Sequence, residues 1–136
     1  MNFTEVIDVP FRVAVASDDG RLINRHFAKT EQFWIFKLVD GRFYLDEVRD
    51  VQPVAYDNHQ EKLLRIVEGI EDCGMAVASE IGPGAAVIMG QKGMEPFVTG
   101  DTVEEALARI AWRQQKNYIA MHAEKRARQN CIRIFK

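Results

Sequence analysis

Residues 75–91 read MAVASEIGPGAAVIMGQ, and the change of pattern within them decides the fold. Met75–Ala78 is short and wholly apolar, as a strand is when both of its faces are buried. Ser79 to Gly84 then turns, and Pro83 suits the first turn of a helix expected over Ala85–Gln91. A strand that feeds a helix in this way is half of a crossover unit, and it calls for a parallel neighbour. Downstream the same pattern repeats. Glu95–Thr99 reads as a short strand around Phe97-Val98, and Thr102 to Glu105 forms a capping box. The helix it opens carries Val103, Ala106, Leu107, Ile110 and Ala111 on one side. Upstream, Asn58 with Glu61 resembles a second capping box, ahead of a helix that places Leu63, Leu64, Val67 and Ile70 on one face.

Further upstream the period is that of strands. Phe11–Ala16 (FRVAVA) is an apolar run stopped by Ser17-Asp18-Asp19-Gly20, and Phe33–Val39 (FWIFKLV) is a second. Asp40-Gly41 is a tight hairpin turn, because glycine takes positive φ without strain. Phe43–Val51 returns as a third strand with one wet face, and Pro53 closes the meander. Phe3, Phe33, Trp34 and Phe36 read together as a core stripe. Right-handed crossovers place the fourth strand beside and parallel to the first, with the fifth outside it. The expected fold is therefore α/β with a ribonuclease H-like motif: a mixed five-stranded sheet of three antiparallel strands followed by two βα units, with helices on both faces.

Composition sets the outer bounds. At 136 residues, with 47% hydrophobic and 28% charged, the chain fits one domain and is too apolar for a disordered one. No apolar run nears the roughly 18 residues of a membrane span, and the acidic N-terminus, broken by Pro10, does not read as a secretory signal. Cys73 and Cys131 cannot form a disulfide framework or a four-sulfur metal site. The expectation is a cytoplasmic domain without a membrane partner. A net charge of −2 hides an asymmetry, because residues 109–136 hold eight Lys or Arg against one acid, Glu124. Such a tail could meet nucleic acid, but its charges are scattered and few aromatics interleave with them, so a solvated helix face is the preferred reading. A helix break is expected near Asn117, residues 118–129 are helix-prone, and Cys131–Phe135 fits either a terminal strand or a loose end.

Loops at the carboxyl ends of strands one, four and five should gather on one sheet edge, where open α/β sheets bind ligands. The first of these, Ser17 to Ala28, is long for so small a domain and holds one imidazole, His26, between Arg25 and Phe27. The second, Ser79 to Gly84, leads into a helix whose free N–H groups and dipole attract an anion. The third is Gly100, Asp101 and Thr102. Cys73 reads as packing, and His59 and His122 as surface residues. Enzyme chemistry finds little support. Gly-rich phosphate loops, H-E-x-x-H and C-x-x-C are all absent, and a triad drawn from Ser17, His26 and Asp101 lacks a nucleophile elbow. Two-metal nuclease chemistry needs converging carboxylates, and FRVAVA carries none. Asp18, Asp101 and Asp46 or Glu47 are the available ones.

Several segments recur together in one known family: RVAVASDDG, the His26-Phe27 pair, Asp72-Cys73, Ile81 to Ala85 (IGPGA), GMEPF, and Val103 to Leu107 (VEEAL). In this order they resemble the dinitrogenase iron–molybdenum cofactor biosynthesis domain, the NifX-like family, over roughly residues 11–115. The family's fold is the ribonuclease H-like sheet. The resemblance implies a non-catalytic carrier for an iron–molybdenum cofactor or other iron–sulfur cluster, with a cluster donor or acceptor protein as partner. It also implies that His26, in the loop after the first strand, is the metal contact. Around it, Ser17, Asp18, Asp19, Gly20 and Phe27 would shape the loop, and Gly82, Pro83 and Gly84 would offer backbone groups. The family's His-Phe-Gly reads His26-Phe27-Ala28 here. The expectation is a chain without the kind of segment that carries radical chemistry in larger fusion proteins. Residues 1–115 are taken as the cofactor-binding-like domain, and 116–136 as a basic helical extension of it. Two rivals stand beside this reading: a Mg²⁺-dependent nucleic-acid-processing or nucleic-acid-binding protein, and a protein–protein interaction module. Oligomeric state is left open.

Overall fold

A computed structural model describes residues 10–51 and 58–134, with side chains through Ala120. Phe3, Pro53 and the end of the Cys131–Phe135 segment lie outside the described residues. The elements run β1 (Arg12–Ala16), β2 (Gln32–Val39), β3 (Arg42–Asp50), α1 (His59–Gly69), β4 (Met75–Ala78), α2 (Pro83–Gln91), β5 (Glu95–Val98) and α3 (Val103–Ile134). A 3-10 turn at Phe27–Lys29 interrupts the excursion between β1 and β2. The strands form one sheet in the order β3-β2-β1-β4-β5. β1 is antiparallel to β2 and parallel to β4, β2 is antiparallel to β3, and β5 is parallel to β4. This mixed five-stranded α/β sheet is the one expected.

Its central strands explain the apolar runs. Val13 to Ala16 and Met75 to Ala78 are at most 1% exposed, so each is covered on both faces. Because side chains alternate along a strand, two cores result. Ala14, Ala16, Phe33 and Ile35 pack against Leu63, Ile66 and Val67 of α1 and Ala85, Ile88 and Met89 of α2. Val13, Val15, Met75 and Val77 pack against Val103, Ala106, Leu107 and Ile110 of α3, with Trp34 and Phe36 at the margin. Helices thus cover both faces. The same alternation corrects the expected aromatic stripe, since Phe33 belongs to one core and Trp34 and Phe36 to the other.

The β2–β3 hairpin turns at Asp40 (φ 51°) and Gly41 (φ 80°), the two positive φ values that match the twist of the flanking strands. A β-bulge follows. Ile35 faces Glu47 but Phe36 faces Leu45, leaving Asp46 unpaired in the ladder and beside Arg12 and Lys37.

Helix starts follow the expected caps, with small corrections. The Asn58 side chain accepts from the Gln60 N–H (2.9 Å), and Thr102 Oγ1 accepts from the Glu105 N–H (3.1 Å). In α1 the buried face holds Ile66, whereas Leu64 is exposed. α2 begins at Pro83 rather than Ala85, because proline's fixed φ and missing N–H fit a first helical position. The break expected near Asn117 is absent. Residues 103–134 contain neither Gly nor Pro and are rich in good helix formers, so α3 continues for 32 residues, about 48 Å. Trp112, Tyr118 and Ile119 on its continuation are exposed. Among the described residues no helix is long and apolar enough to cross a membrane.

Candidate functional site

Because β1, β4 and β5 are mutually parallel, their carboxyl ends share one sheet edge. The loop after β1 is first of all a self-bonded turn. The buried Ser17 hydroxyl donates to Leu22 O (2.5 Å) and accepts from the Gly20 N–H (2.9 Å). Asp19 Oδ1 accepts from the amides of Arg21 (2.9 Å) and Leu22 (3.2 Å), and these bonds hold its carboxyl below the usual range. Trp34 Nε1 donates to Ser17 O (3.1 Å), which lays the indole against the turn. Gly20 lies at φ 75°, and a Cβ there would sit 2.7 Å from the Trp34 ring, so this turn needs glycine twice over. A second clasp closes the loop's middle. The Asp18 N–H donates to Asn24 Oδ1 (3.1 Å), and the Asp18 carboxylate pairs with Arg25.

Beyond that turn the loop is stitched to both neighbouring loops. Ile23 N–H donates to Asp101 O (3.1 Å) and Val103 N–H to Arg21 O (2.8 Å), tying it to the loop after β5. Ser79 N–H donates to Arg25 O (3.0 Å) and Phe27 N–H to Glu80 O (2.9 Å), tying it to the loop after β4. His26 and Glu80 are thereby partners in a one-residue parallel bridge. Three turns far apart in the chain form one hydrogen-bonded surface.

His26 stands on this surface between two anchors. Phe27 is 1% exposed, and Thr30 Oγ1 donates to His26 O (2.7 Å). The imidazole itself is about half exposed, with Nδ1 3.2 Å from Glu80 Oε2. Ala28, where the family has glycine, lies inside the 3-10 turn and is not at positive φ, so its Cβ brings no backbone strain. Gly82 caps α2 in an extended conformation without a side-chain hydrogen bond, and Ala86 N–H donates to its carbonyl (3.1 Å). Pro83 has no N–H, so the amides of Gly84 and Ala85 are the orphan donors of this helix start. A Cβ on Gly82 would meet nothing within 4 Å, so the backbone there is open to approach.

The residues singled out in the sequence thus divide. Ser17, Asp19 and Gly20 build the turn, Asp18 is occupied by Arg25, and Phe27 belongs to the core. His26 presents its imidazole, and Gly82, Pro83 and Gly84 present backbone two residues beyond its bridge partner. The hydrogen bonds and ion pair of His26 run to Lys29, Thr30 and Glu80 rather than to residues 82–84. Sequence reasoning missed Glu80. Its only signal was a carboxylate two residues past the end of an apolar strand.

The nuclease alternative needs carboxylates that converge. Asp18 pairs with Arg25, Asp101 with Arg109, Asp46 with Arg12 and Glu47 with Arg49. Among the described residues, no three His, Cys, Asp or Glu side chains group as metal ligands. The basic charge at the start of the tail is likewise engaged at home, Arg109 by Asp101 and Arg113 by Glu95 (2.6 Å). Cys73 is buried, and that burial, with the Asp72 charge beside it, pushes its thiol up to about 12, so in the metal-free protein it is a protonated packing residue at neutral pH.

The sequence profile described as "Dinitrogenase iron-molybdenum cofactor" matches residues 10–112. The chain belongs to this dinitrogenase iron–molybdenum cofactor family. It is 33% identical over 106 residues to the FeMo cofactor biosynthesis protein NifB of Frankia alni, which aligns with 74% of this chain but only 21% of that protein. The chain thus spans about a fifth of that relative's length. The fold is similar to the crystal structure of PH0822 (TM-score 0.59, 17% identity, 74% of this chain and 90% of that one). It is also similar to a Methanocaldococcus jannaschii protein described as a candidate dinitrogenase (TM-score 0.52, 15% identity, 76% and 89%). Family members of this kind are associated with nitrogenase cofactor biosynthesis, and the match spans every strand and the site loops.

Proposed function

We propose that this chain is a non-catalytic carrier that holds an iron–molybdenum cofactor or related iron–sulfur cluster between a donor and an acceptor protein in the cytoplasm. His26 is the metal ligand. The observation that carries this reading is the half-exposed imidazole on a loop hydrogen-bonded to both neighbouring strand ends, near a helix start that no side chain caps. A neutral imidazole is a good donor to iron and other transition metals. The orphan amides of Gly84 and Ala85, with the positive end of the α2 dipole, favour an anionic cargo. Ser17, Asp18, Asp19 and Gly20 act by fixing the loop, and Phe27 by anchoring it.

One side-chain ligand with backbone support suits a carrier. A preassembled cluster brings its own bridging sulfides, so the protein needs to grip it at few points and can then release it. The strand order β3-β2-β1-β4-β5 is that of a ribonuclease H-like sheet, and we read the fold so. We take the basic continuation of α3 as an extension of the same domain, because the first eight residues of this helix supply the face it buries on the sheet.

The test is anaerobic incubation with isolated iron–molybdenum cofactor, gel filtration, and measurement of iron and molybdenum in the protein fraction. Co-elution of both metals with an absorption band absent from the metal-free protein supports the carrier. Metal-free protein after loading contradicts it.

A further inference from the structure

We propose that Glu80 is a positioning residue that decides which imidazole nitrogen of His26 is offered to a metal. This step rests on the reading of His26 as the ligand. The placement begins in the backbone. Ser79 N–H to Arg25 O (3.0 Å) and Phe27 N–H to Glu80 O (2.9 Å) lock residues 26 and 80 as opposite partners of a parallel bridge. Opposite residues in a ladder project to the same side, which brings the two side chains within reach of each other. Nδ1 of His26 lies 3.2 Å from Glu80 Oε2.

The chemistry follows from what each group can do. An ionised carboxylate only accepts, whereas a neutral imidazole carries one N–H and one lone pair. A carboxylate facing Nδ1 therefore draws the proton to Nδ1 and leaves the Nε2 lone pair free. Free histidine prefers the opposite tautomer, with the proton on Nε2. Without Glu80 the outer nitrogen would mostly be blocked. Metal-ligating histidines are oriented by such carboxylates in general, and removing one typically lowers metal affinity about 10–100-fold. Among the described residues the Glu80 carboxylate has no partner besides His26. The Glu80 side chain is about two-thirds exposed, and its backbone bonds do not depend on the carboxylate, so replacing it leaves the fold intact.

The experiment is long-range proton–nitrogen correlation NMR on ¹⁵N-histidine-labelled, metal-free protein in alkaline buffer, where imidazoles are neutral. His26 is assigned by the signal lost in His26→Ala. In the wild type, Nε2 should resonate as the unprotonated nitrogen and Nδ1 as the protonated one. Glu80→Ala should move the proton to Nε2, and Glu80→Gln, whose amide oxygen can still accept from Nδ1, should restore much of the wild-type pattern. A wild-type Nε2–H majority, or a Glu80→Ala spectrum with the wild-type pattern, overturns the proposal. Loading with isolated iron–molybdenum cofactor is the second arm, and Glu80→Ala should retain it about 10–100-fold more weakly. Equal retention overturns the assignment of Glu80 to ligand positioning. If the tautomers behave as stated and even the wild type takes up no cofactor, the carrier reading fails while the role of Glu80 in setting the tautomer is upheld.

Discussion

The Phe27 ring lies 5.6 Å from that of Phe33 at an interplanar angle of 51°. Phe33 is fully buried on β2, so this contact pins the residue after His26 into the core and leaves the imidazole at the surface. Position and chemistry are thus divided between neighbouring residues, and the first can be disturbed without touching the second.

Phe27→Ala should therefore lower both stability and cofactor retention. Truncating a buried Phe typically costs about 3–5 kcal/mol, read as a lower midpoint in urea unfolding. Phe27→Leu should recover most of both. Retention unchanged in Phe27→Ala, under conditions where it stays folded, would contradict the anchoring role.

Two glycines with nearly the same φ separate strain from crowding. Gly20 (φ 75°) has the Trp34 ring 2.7 Å from a built Cβ, whereas Gly93 (φ 74°) has nothing within 4 Å. Gly93→Ala should cost about 1 kcal/mol through backbone conformation alone. Gly20→Ala should cost clearly more and should shift the Trp34 fluorescence. Equal losses in urea unfolding would show that the indole gives way freely.

Arg49 links β3 to the end of α1. Its guanidinium donates to Asp72 Oδ1 (2.6 Å) and Oδ2 (3.1 Å), to Glu47 and to Gly69 O (3.1 Å). The Arg49 bond holds the Asp72 carboxyl below its ordinary value, against the opposing effect of burial. A depressed carboxylate stabilises the fold above its unfolded pKa and loses that contribution as pH falls through the folded value. Both partners are partly solvent-exposed, so Asp72→Asn should cost about 1 kcal/mol at pH 7. In unfolding titrations the gap from wild type should close towards pH 2. A gap that persists there would mean the loss is not electrostatic.

Much of this fold is legible in the sequence because its signals are local. The unbroken apolar runs of β1 and β4, the Asp40-Gly41 turn and the change of period after residue 58 each depend on a few adjacent residues. The β-bulge at Asp46 has no such mark, since neither glycine nor proline flags it. The exchange of Leu64 for Ile66 on the buried face of α1 is a phase error that packing alone resolves. At the site, His26 and the Gly82-Pro83-Gly84 start are visible as residue types at strand ends. Their stitching through Arg25, Glu80 and Asp101 joins backbone groups remote in sequence, and no residue type announces a backbone bond.

Cys73 supplies a check on the ligand assignment. With its thiol pushed up to about 12 by burial, it stays protonated across the neutral range. In a Cys131→Ser background, native protein at pH 8 should resist alkylation by iodoacetamide until urea unfolds it, and Cys73→Ala should retain cofactor as the wild type does. Rapid native alkylation would contradict the burial of the thiol, and loss of cofactor from a folded Cys73→Ala would count against His26 as the sole side-chain ligand.

The most direct measurement is the molybdenum and iron content of His26→Ala beside the wild type after the same anaerobic loading and gel filtration. The account predicts that the variant, with an unchanged unfolding midpoint, elutes essentially free of both metals while the wild type carries them. Equal metal content in the two proteins would contradict it.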